Sequence, residues 1–155
     1  MKTKIMIKIR KATGNDLKEY VKLMKESNKE YSKIIGEKVN FSDKEIKEEF
    51  NSVLKSQKEF LLLAQDNEKI VGYLMGNFTS YKKKKTGNID FLFVPKNHRK
   101  KGIASLLMKT FTKILKKKGI KKYKLKMNIK NKNAFNFYKN LGFKITNYNM
   151  EKNIR

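Results

Sequence analysis

The chain of 155 residues contains no cysteine. This absence excludes a disulfide framework and a zinc site built from thiolates. No apolar run approaches the roughly 20 residues that a membrane-spanning helix needs. The N-terminal residues are charged and no long apolar stretch of a signal peptide follows them, so we expect a cytoplasmic protein that has no contact with a membrane.

Acidic residues are scarce in the second half of the chain. Residues 81–155 contain 23 basic and 2 acidic residues, whereas residues 1–80 contain 16 and 12. The formal net charge is +25, and all but three of the basic residues are lysine. Arginine, which makes the bidentate contacts of nucleic-acid sites, is rare. The composition therefore favours a solvated lysine surface over a nucleic-acid face, and either would attract polyanionic ligands to the second half.

The rest of the composition is typical of one folded domain. Hydrophobic residues make up 39% of the chain, and its 10 phenylalanines and 7 tyrosines argue against disorder. A chain of this length is expected to form one domain with a sizeable core, and we assign residues 1–155 to it.

Apolar periodicity and capping signals predict a series of strands and helices. Ser42 and Glu45 form a capping box. Residues 28–40 have weak periodicity and are expected to be a loop or a broken helix, and the four-lysine run in 81–87 is expected to be a solvated loop. The predicted strands are 5–9, 60–64, 70–75, 89–94, 123–129 and 143–150, and the predicted helices begin near Leu17 and cover 42–55, 101–118 and 131–141.

Residues 88–108 change character twice. Residues 89–94 form an apolar run that only Asp90 interrupts, which is typical of a buried strand. Pro95 ends this strand because proline cannot donate to a ladder. From Ile103 onward the apolar residues recur at helical spacing. The chain therefore runs from a strand through a short basic loop into a helix.

The basic loop has the features of an anion site. The first turn of a helix has unpaired backbone N–H groups and the positive end of the helix dipole. Gly102 would let an anion approach the main chain closely. Arg99, Lys100 and Lys101 add side-chain charge. A pyrophosphate would fit such a loop.

Two segments resemble motifs of one family. Residues 99–104, Arg-Lys-Lys-Gly-Ile-Ala, resemble the Q/R-x-x-G-x-G/A motif of the GNAT superfamily of acetyl-CoA-dependent N-acetyltransferases. Residues 128–143 resemble that family's N-x-x-N-x-x-A-x-x-F-Y-x-x-x-G-F segment. The two motifs occur in the family's order, and the resemblance covers nearly the whole chain.

The resemblance implies the GNAT fold, which is a three-layer sandwich of the α/β class. In that fold four helices flank a mixed, mostly antiparallel sheet of six to seven strands. The strands at 88–94 and 122–129 should splay apart and admit the pantetheine arm of the cofactor. The resemblance also implies acetyl-CoA as cosubstrate and no metal.

The resemblance assigns cofactor contacts residue by residue. The main chain of Phe93 and Val94 would pair with the pantetheine, although both residues can equally be plain core. Asn131 would hydrogen-bond the same arm, although asparagine also serves as a helix N-cap. The residues expected around the pyrophosphate are Arg99, Lys100, Lys101, Gly102, Ile103, Ala104 and Ser105.

Two groups match the catalytic positions of the family. Tyr138 matches the tyrosine that protonates the departing CoA thiolate as a general acid, and its alternative is a core tyrosine. The backbone N–H of Val94 would polarise the thioester carbonyl. The absence of cysteine fits direct transfer in a ternary complex, because no acyl-enzyme can form on a thiol.

Asp90 is the candidate general base. It is the only carboxylate between Glu68 and Glu151, and it matches a position where several GNAT enzymes carry a glutamate. Aspartate is shorter than glutamate by a methylene group, so we expect a water molecule to relay the proton from the acceptor to Asp90. Nearby lysines are expected to lower its basicity, and a structural ion pair is the alternative role. His98, the one histidine, is expected to line the loop and not to titrate in catalysis.

The predicted function is the transfer of an acetyl group from acetyl-CoA to a primary amine. A small acceptor such as an aminoglycoside, a polyamine or an amino acid is favoured, and Glu26, Glu30 and Glu37 could attract a cationic one. A protein N-terminal or lysine acetyltransferase is an alternative. Another is a protein on a GNAT scaffold that binds nucleic acid or senses CoA. By analogy with similar proteins, a homodimer is a further expectation.

Overall fold

The structure is a computed structural model that describes residues 6–154. Within these residues the strands are β1 (Ile7–Lys11), β2 (Glu59–Asp66), β3 (Lys69–Tyr81), β4 (Lys84–Phe93) and β5 (Tyr123–Leu125). The helices are α1 (Leu17–Ile35), α2 (Asp43–Lys55), α3 (Ile103–Lys117) and α4 (Lys132–Asn140), with short 3₁₀ helices at Gly14–Asp16 and Lys96–His98. Residue 5, where the first strand was expected to begin, lies outside the described residues.

The five strands of the described chain form one sheet in the order β1-β2-β3-β4-β5. The first three pairings are antiparallel, and β5 joins β4 in parallel. A mixed, mostly antiparallel sheet is therefore confirmed. The expected number of strands, six to seven, is wrong for residues 6–154.

The predicted last strand at 143–150 is wrong, because residues 143–154 form neither helix nor strand. Apolar alternation makes a strand only where a neighbouring edge and a core face receive it. β5 is three residues long and offers a short edge. Ile145, Tyr148 and Met150 are accordingly 58%, 77% and 96% exposed.

The sheet separates two apolar cores, which confirms the three-layer sandwich. Leu107 and Phe111 of α3 are fully buried against one face. Tyr20 of α1 and Phe50 of α2 are fully buried against the other. In the part of the chain that the structure describes, no helix has both the length and the apolar character to cross a membrane.

Helix α1 is longer than predicted, because residues 28–35 belong to it. Asn28 is buried on the same face of the helix as Met24 and Ile35. This polar residue interrupts the helical spacing of apolar residues, so the sequence pattern did not predict the second half of α1. Gly36 ends the helix with φ +76°, a left-handed conformation that glycine adopts at little cost.

The four-lysine run is part of a hairpin and not a solvated loop. β3 and β4 pair out to Tyr81 opposite Lys84. Lys82 and Lys83 make the turn with φ of 46° and 63°. Positive φ at both central residues is the pattern of a two-residue type I′ turn. The side chains of the four lysines are all exposed, so this segment has no alternation of apolar and polar residues that would predict the strand pairing.

Strand β4 contains one extra residue at Asp90. Met75 of β3 lies opposite Phe91, but the next residue, Gly76, lies opposite Ile89, so Asp90 has no partner. Such a bulge bends the strand and changes the direction of a side chain. An acidic residue can therefore sit in an otherwise apolar strand without entering either core.

β4 and β5 diverge immediately before this bulge. Their parallel pairing ends at Ile89 opposite Leu125. The expected splay between the two strands is confirmed. The strand predicted at 123–129 is wrong beyond residue 125, because the residues that follow have left the neighbouring strand.

Gly76 allows α3 to approach the sheet, and we expect Gly76→Ala to destabilise the protein by about 1–3 kcal/mol. A Cβ at this position would stand 2.7 Å from Phe111 Cζ and 2.7 Å from the Asn88 carbonyl oxygen. Urea unfolding measures the effect. Gly14→Ala is the control, because nothing lies within 4 Å of a Cβ there. Equal stabilities of the two variants would contradict the prediction.

Candidate functional site

The structure has a cleft of about 250 Å³ where β4 and β5 diverge. Its walls come from α1, the loop after α1, β4, the segment after β5, and α4. The cleft brings together Asp90, Asn131 and Tyr138, which were singled out from separate parts of the sequence. The other lining residues are Ser27, Asn28, Tyr31, Val39, Phe41, Phe91, Leu92, Lys126, Met127, Asn128 and Ala134.

A larger concavity, of about 380 Å³, lies elsewhere on the molecule. It is formed by α2, β1 and β2, and Lys11, Glu59 and Lys118 are among its lining residues. It contains none of the residues that the motifs predicted. The smaller cleft is therefore the candidate site.

The start of α3 presents six free backbone amides. Within the described residues, the N–H groups of 100–105 donate to no protein acceptor, and helical bonding begins with the Leu106 N–H to the Gly102 carbonyl at 3.0 Å. Gly102 has φ +76°, and a Cβ there would meet nothing within 4 Å. Lys100 and Lys101 are exposed beside it. This loop therefore has the donors, the space and the charge to hold a pyrophosphate.

The remaining residues of the predicted loop differ in burial. Ile103 is 2% exposed and belongs to the core under α3. Ala104 is half-buried and Ser105 is exposed. An anion at this loop would thus meet the backbone of Ile103 and not its side chain.

Arg99 is held by protein groups. Its Nε donates to the Val94 carbonyl oxygen at 2.7 Å, and its Nη2 donates to Glu30 Oε1 at 2.6 Å. Its guanidinium lies 5.9 Å from the centroid of the Phe93 ring. These contacts tie the basic loop to α1 and to the end of β4. Glu30, which the sequence suggested as a free attractor of a cationic acceptor, is engaged by Arg99.

Phe93 and Val94 lie at the end of β4, each 7% exposed. The Phe93 side chain belongs to the core under α1 and α2, and the Val94 side chain to the core under α3. Beyond Ile89, no strand among residues 6–154 pairs with β4 on the side of β5. Their side chains are therefore core, and they directly follow Phe91 and Leu92, which line the cleft.

Tyr138 on α4 lines the cleft with its ring packed among aromatic residues. Its centroid lies 5.3 Å from that of Phe137 and 5.4 Å from that of Phe143. Burial, with a smaller effect of Tyr123, raises the pKa of Tyr138 to about 12. Its hydroxyl bonds to no protein group among the described residues. The phenol therefore stays protonated through the neutral range and is free to donate.

Asn131 caps helix α4. Its side-chain oxygen accepts a hydrogen bond from the Ala134 N–H at 3.2 Å, which confirms the N-cap interpretation. The amide nitrogen of Asn131 takes no part in this bond, so a cofactor contact remains compatible with the cap. His98 is half-buried in the 3₁₀ helix of the loop.

Asp90 has a raised pKa. The residue is exposed at the bulge, but partial desolvation of its carboxyl is the largest cause, the hydrogen bond from Asn77 Nδ2 at 2.7 Å acts in the opposite direction, and the charge of Glu59 raises the pKa further. The expectation that lysines would lower its basicity is wrong. The charge that shifts its pKa is the carboxylate of Glu59, and burial and the charge of Asp90 raise the pKa of Glu49 as well. No ion pair holds Asp90 within residues 6–154.

Sequence reasoning missed four polar residues of this region. Glu49, Glu59 and Asn77 lie on α2, β2 and β3, and only the folded sheet brings them near Asp90. Asn28 lines the cleft from α1 at 7% exposure. The interrupted apolar period of α1 was the one available signal for Asn28. In the described part of the chain, no group of three histidine or acidic side chains is placed to hold a metal ion.

The acetyltransferase (GNAT) family is the family whose model matches the chain, over residues 20–143. The match spans most of the sequence, and the chain belongs to this family. The "Uncharacterized N-acetyltransferase MJ1207" of Methanocaldococcus jannaschii is 25% identical over 138 residues, which cover 87% of this chain and 59% of that protein. This chain therefore spans less than two thirds of the length of that relative.

Solved structures share the fold at low sequence identity. A transcriptional regulator from Bacillus halodurans C-125 is 22% identical with a TM-score of 0.81, covering 96% of this chain and 100% of its own. The aminoglycoside N-acetyltransferase AAC(6')-Iy in complex with CoA is 14% identical with a TM-score of 0.83, covering 100% and 99%. An aminoglycoside acetyltransferase from an uncultured soil metagenomic sample, in complex with sisomicin, is 20% identical with a TM-score of 0.74, covering 96% and 97%.

We expect Asp90 to titrate above the ordinary range of an aspartate, and its neighbours to shift its pKa in opposite directions. Glu59→Gln should lower the pKa of Asp90 by removing a like charge, whereas Asn77→Ala should raise it by removing a donor to the carboxylate. NMR titration of the Asp90 carboxyl carbon measures both. Glu68→Gln, in the turn between β2 and β3, is the control. An Asp90 pKa that neither variant moves would contradict the assignment.

Proposed function

We propose that the protein is an N-acetyltransferase that moves the acetyl group of acetyl-CoA to a primary amine by direct attack in a ternary complex. One observation carries the proposal: Asp90 and Tyr138 line one cleft where β4 and β5 diverge, and β4 continues from this cleft into the loop of free amides. Membership in the GNAT family supports it. A cytoplasmic location and a homodimer stay predictions.

The residues of the loop and of β4 fit the cofactor. The free amides of 100–105, with Lys100 and Lys101, would hold the pyrophosphate. The unpaired edge of β4 at Phe93 and Val94 would pair with the pantetheine, and the amide of Asn131 would bond the same arm. When bound, acetyl-CoA supplies an activated acetyl thioester.

Three groups of the chain then have roles in the transfer. The Val94 N–H would hydrogen-bond the thioester carbonyl as negative charge develops on its oxygen. The Arg99 contact at the Val94 carbonyl oxygen would keep this peptide in place. Tyr138, whose phenol is protonated at neutral pH, would donate its hydroxyl proton to the leaving sulfur.

Asp90 would take a proton from the ammonium of the acceptor, directly or through water. A carboxylate near its ordinary pKa is a weak base at neutral pH. Desolvation and the charge of Glu59 raise the pKa of Asp90, which makes it a stronger base. The carboxylates Glu49, Glu59 and Asp90 also favour a cationic acceptor over an anionic one. This supports a small amine or a peptide amine more than an acidic substrate.

The first test is calorimetry with acetyl-CoA, with Gly102→Ala as the variant. Wild-type protein should bind at micromolar levels, and the variant at least tenfold more weakly, because a Cβ would stand between the phosphate and the amides. Gly119→Ala is a matched control at the other end of α3, since Gly119 also has positive φ and open space. Absence of wild-type binding, or equal weakening in both variants, would remove the phosphate loop.

The second test concerns Tyr138. We expect Tyr138→Phe to lower kcat by about 10²-fold or more while the Kd for acetyl-CoA stays within a factor of about three, because only the proton donor is lost. Tyr148→Phe is the control, since Tyr148 is 77% exposed and does not line the cleft. Steady-state kinetics with a panel of primary amines measures the effect. An unchanged kcat in Tyr138→Phe would assign Tyr138 to the core alone.

A further inference from the structure

The larger concavity, of about 380 Å³, lies at the start of β2, between the end of α2 and the residue that follows α3. Val53 and Leu54 of α2, Phe60 of β2 and Lys118 after α3 are among its lining residues. Its volume falls in the range of small-molecule sites, roughly 300–1,000 Å³. It shares no lining residue with the cleft of the candidate site, so its occupant would be a different molecule.

Two lysine ammonium groups in this concavity converge on one aromatic ring. Lys11 Nζ lies 5.9 Å and Lys118 Nζ lies 5.6 Å from the centroid of the Phe60 ring. Neither lysine forms an ion pair with a described residue. Each ammonium is attracted to the ring, but the two positive charges repel each other. An anion bound between them would convert this repulsion into two attractions.

A third lysine adds to the positive charge on this side of the sheet. Phe78 stacks on Phe60 with their centroids 6.2 Å apart. Lys85 Nζ lies 5.9 Å and Lys118 Nζ lies 5.5 Å from the centroid of the Phe78 ring. Lys85 also has no ion pair among residues 6–154. Three ammonium groups thus surround one aromatic pair without a matching carboxylate.

Glu59, the one carboxylate among the described lining residues, points to the other face of the sheet. Consecutive residues of a strand point to opposite faces. Phe60 belongs to the core under α3, so Glu59 points to the face that α1 and α2 cover, where its charge acts on Glu49 and Asp90. An anionic group beside Lys11 and Lys118 would therefore lie on the face of the sheet away from Glu59.

The rest of the wall offers one hydroxyl donor and an apolar surface. Ser56 Oγ accepts hydrogen bonds from the N–H groups of Lys58 at 3.2 Å and Glu59 at 3.1 Å, and its own proton has no acceptor in the described chain. Leu54 is 37% exposed, and Ala12 is half-buried beside it in the lining. A ligand that combines an anionic group with an apolar body would match both parts of the wall.

We propose that this concavity is a second ligand site, which binds a soluble organic phosphate monoester with its phosphate between Lys11 and Lys118 and its apolar body against Leu54. A monoester carries a charge of about −1.5 to −2 at pH 7, which two ammonium groups neutralise. Lysine binds phosphate as a point charge and does not need the planar geometry of arginine. The inference does not depend on the proposed function, because the two sites have separate residues.

The test is an NMR titration of the full chain with phenyl phosphate at constant ionic strength. The amide signals of Lys11, Ser56 and Lys118 should shift together with a single Kd at the millimolar level or below. Inorganic phosphate, which lacks the apolar body, should bind about threefold or more weaker. Benzyl alcohol, which lacks the charge, should leave these signals in place. Equal Kd values for phenyl phosphate and inorganic phosphate, or shifts with benzyl alcohol, would overturn the assigned ligand class.

Charge-removing variants locate the phosphate. Lys11→Gln and Lys118→Gln should each weaken phenyl phosphate by about fivefold or more, because each removes one of two charged donors. Lys117→Gln is the matched control, since Lys117 is the exposed neighbour of Lys118 and does not line the concavity. Its Kd should stay within about twofold of the wild type. Equal weakening in Lys117→Gln and Lys118→Gln would mean a diffuse attraction to the basic surface and would overturn the site.

Two further arms separate this site from other places and sources of phosphate. Gly102→Ala should leave the shifts and the Kd at Lys11 and Lys118 unchanged, whereas their loss would place the ligand at the loop before α3. Vesicles that contain phosphatidate present the same monoester as a lipid headgroup. Binding to these vesicles without binding to phenyl phosphate would overturn a site for a soluble ligand. Neither arm requires acetyl transfer, so failure of the proposed function would leave these readouts intact.

Discussion

The single extra residue in β4 decides the shape of the site. Ile89 and Phe91 would point to the same face of a regular strand. Because Asp90 has no partner on β3, they point to opposite faces, with Ile89 in the core under α3 and Phe91 against the core under α1 and α2. The parallel pairing with β5 stops at the same point. One bulge thus opens the cleft, frees the edge of β4 and places a carboxylate at the opening.

The charge distribution of the molecule has two signs around this cleft. The loop before α3 presents free amides and lysines, which suits a polyanion. Near Asp90 the sheet and α2 place the carboxylates Glu49 and Glu59, in a chain of net charge +25. Under the proposed function, the first environment would suit the polyanionic donor and the second a cationic acceptor.

Arg99 holds three segments of the chain together. Through Glu30 and the Val94 carbonyl it connects α1, the end of β4 and the basic loop before α3. The sequence motif indicated a cationic residue at this position but not its partner, because Glu30 lies 69 residues earlier in the chain. A basic residue in a motif can therefore hold the loop as well as contact a ligand.

Local patterns in the sequence were sufficient where neighbouring residues decide the structure. The strand before Pro95, the glycine loop at 99–105, the capping box at Ser42 and the helix cap at Asn131 all depend on side chains within a few residues of each other. The pattern failed at the last strand, 143–150, because alternation cannot show whether a neighbouring edge exists to receive it.

The sequence by itself determined the family, the order of most elements and the glycine-containing loop between β4 and α3, since these follow from short-range periodicity and from two motifs. Only the tertiary structure decided that α1 runs through a buried Asn28, that β4 carries a bulge, and that desolvation and the charge of Glu59 on β2 raise the pKa of Asp90. The physical reason is that burial, strand register and through-space charge depend on residues that meet only after the sheet has formed.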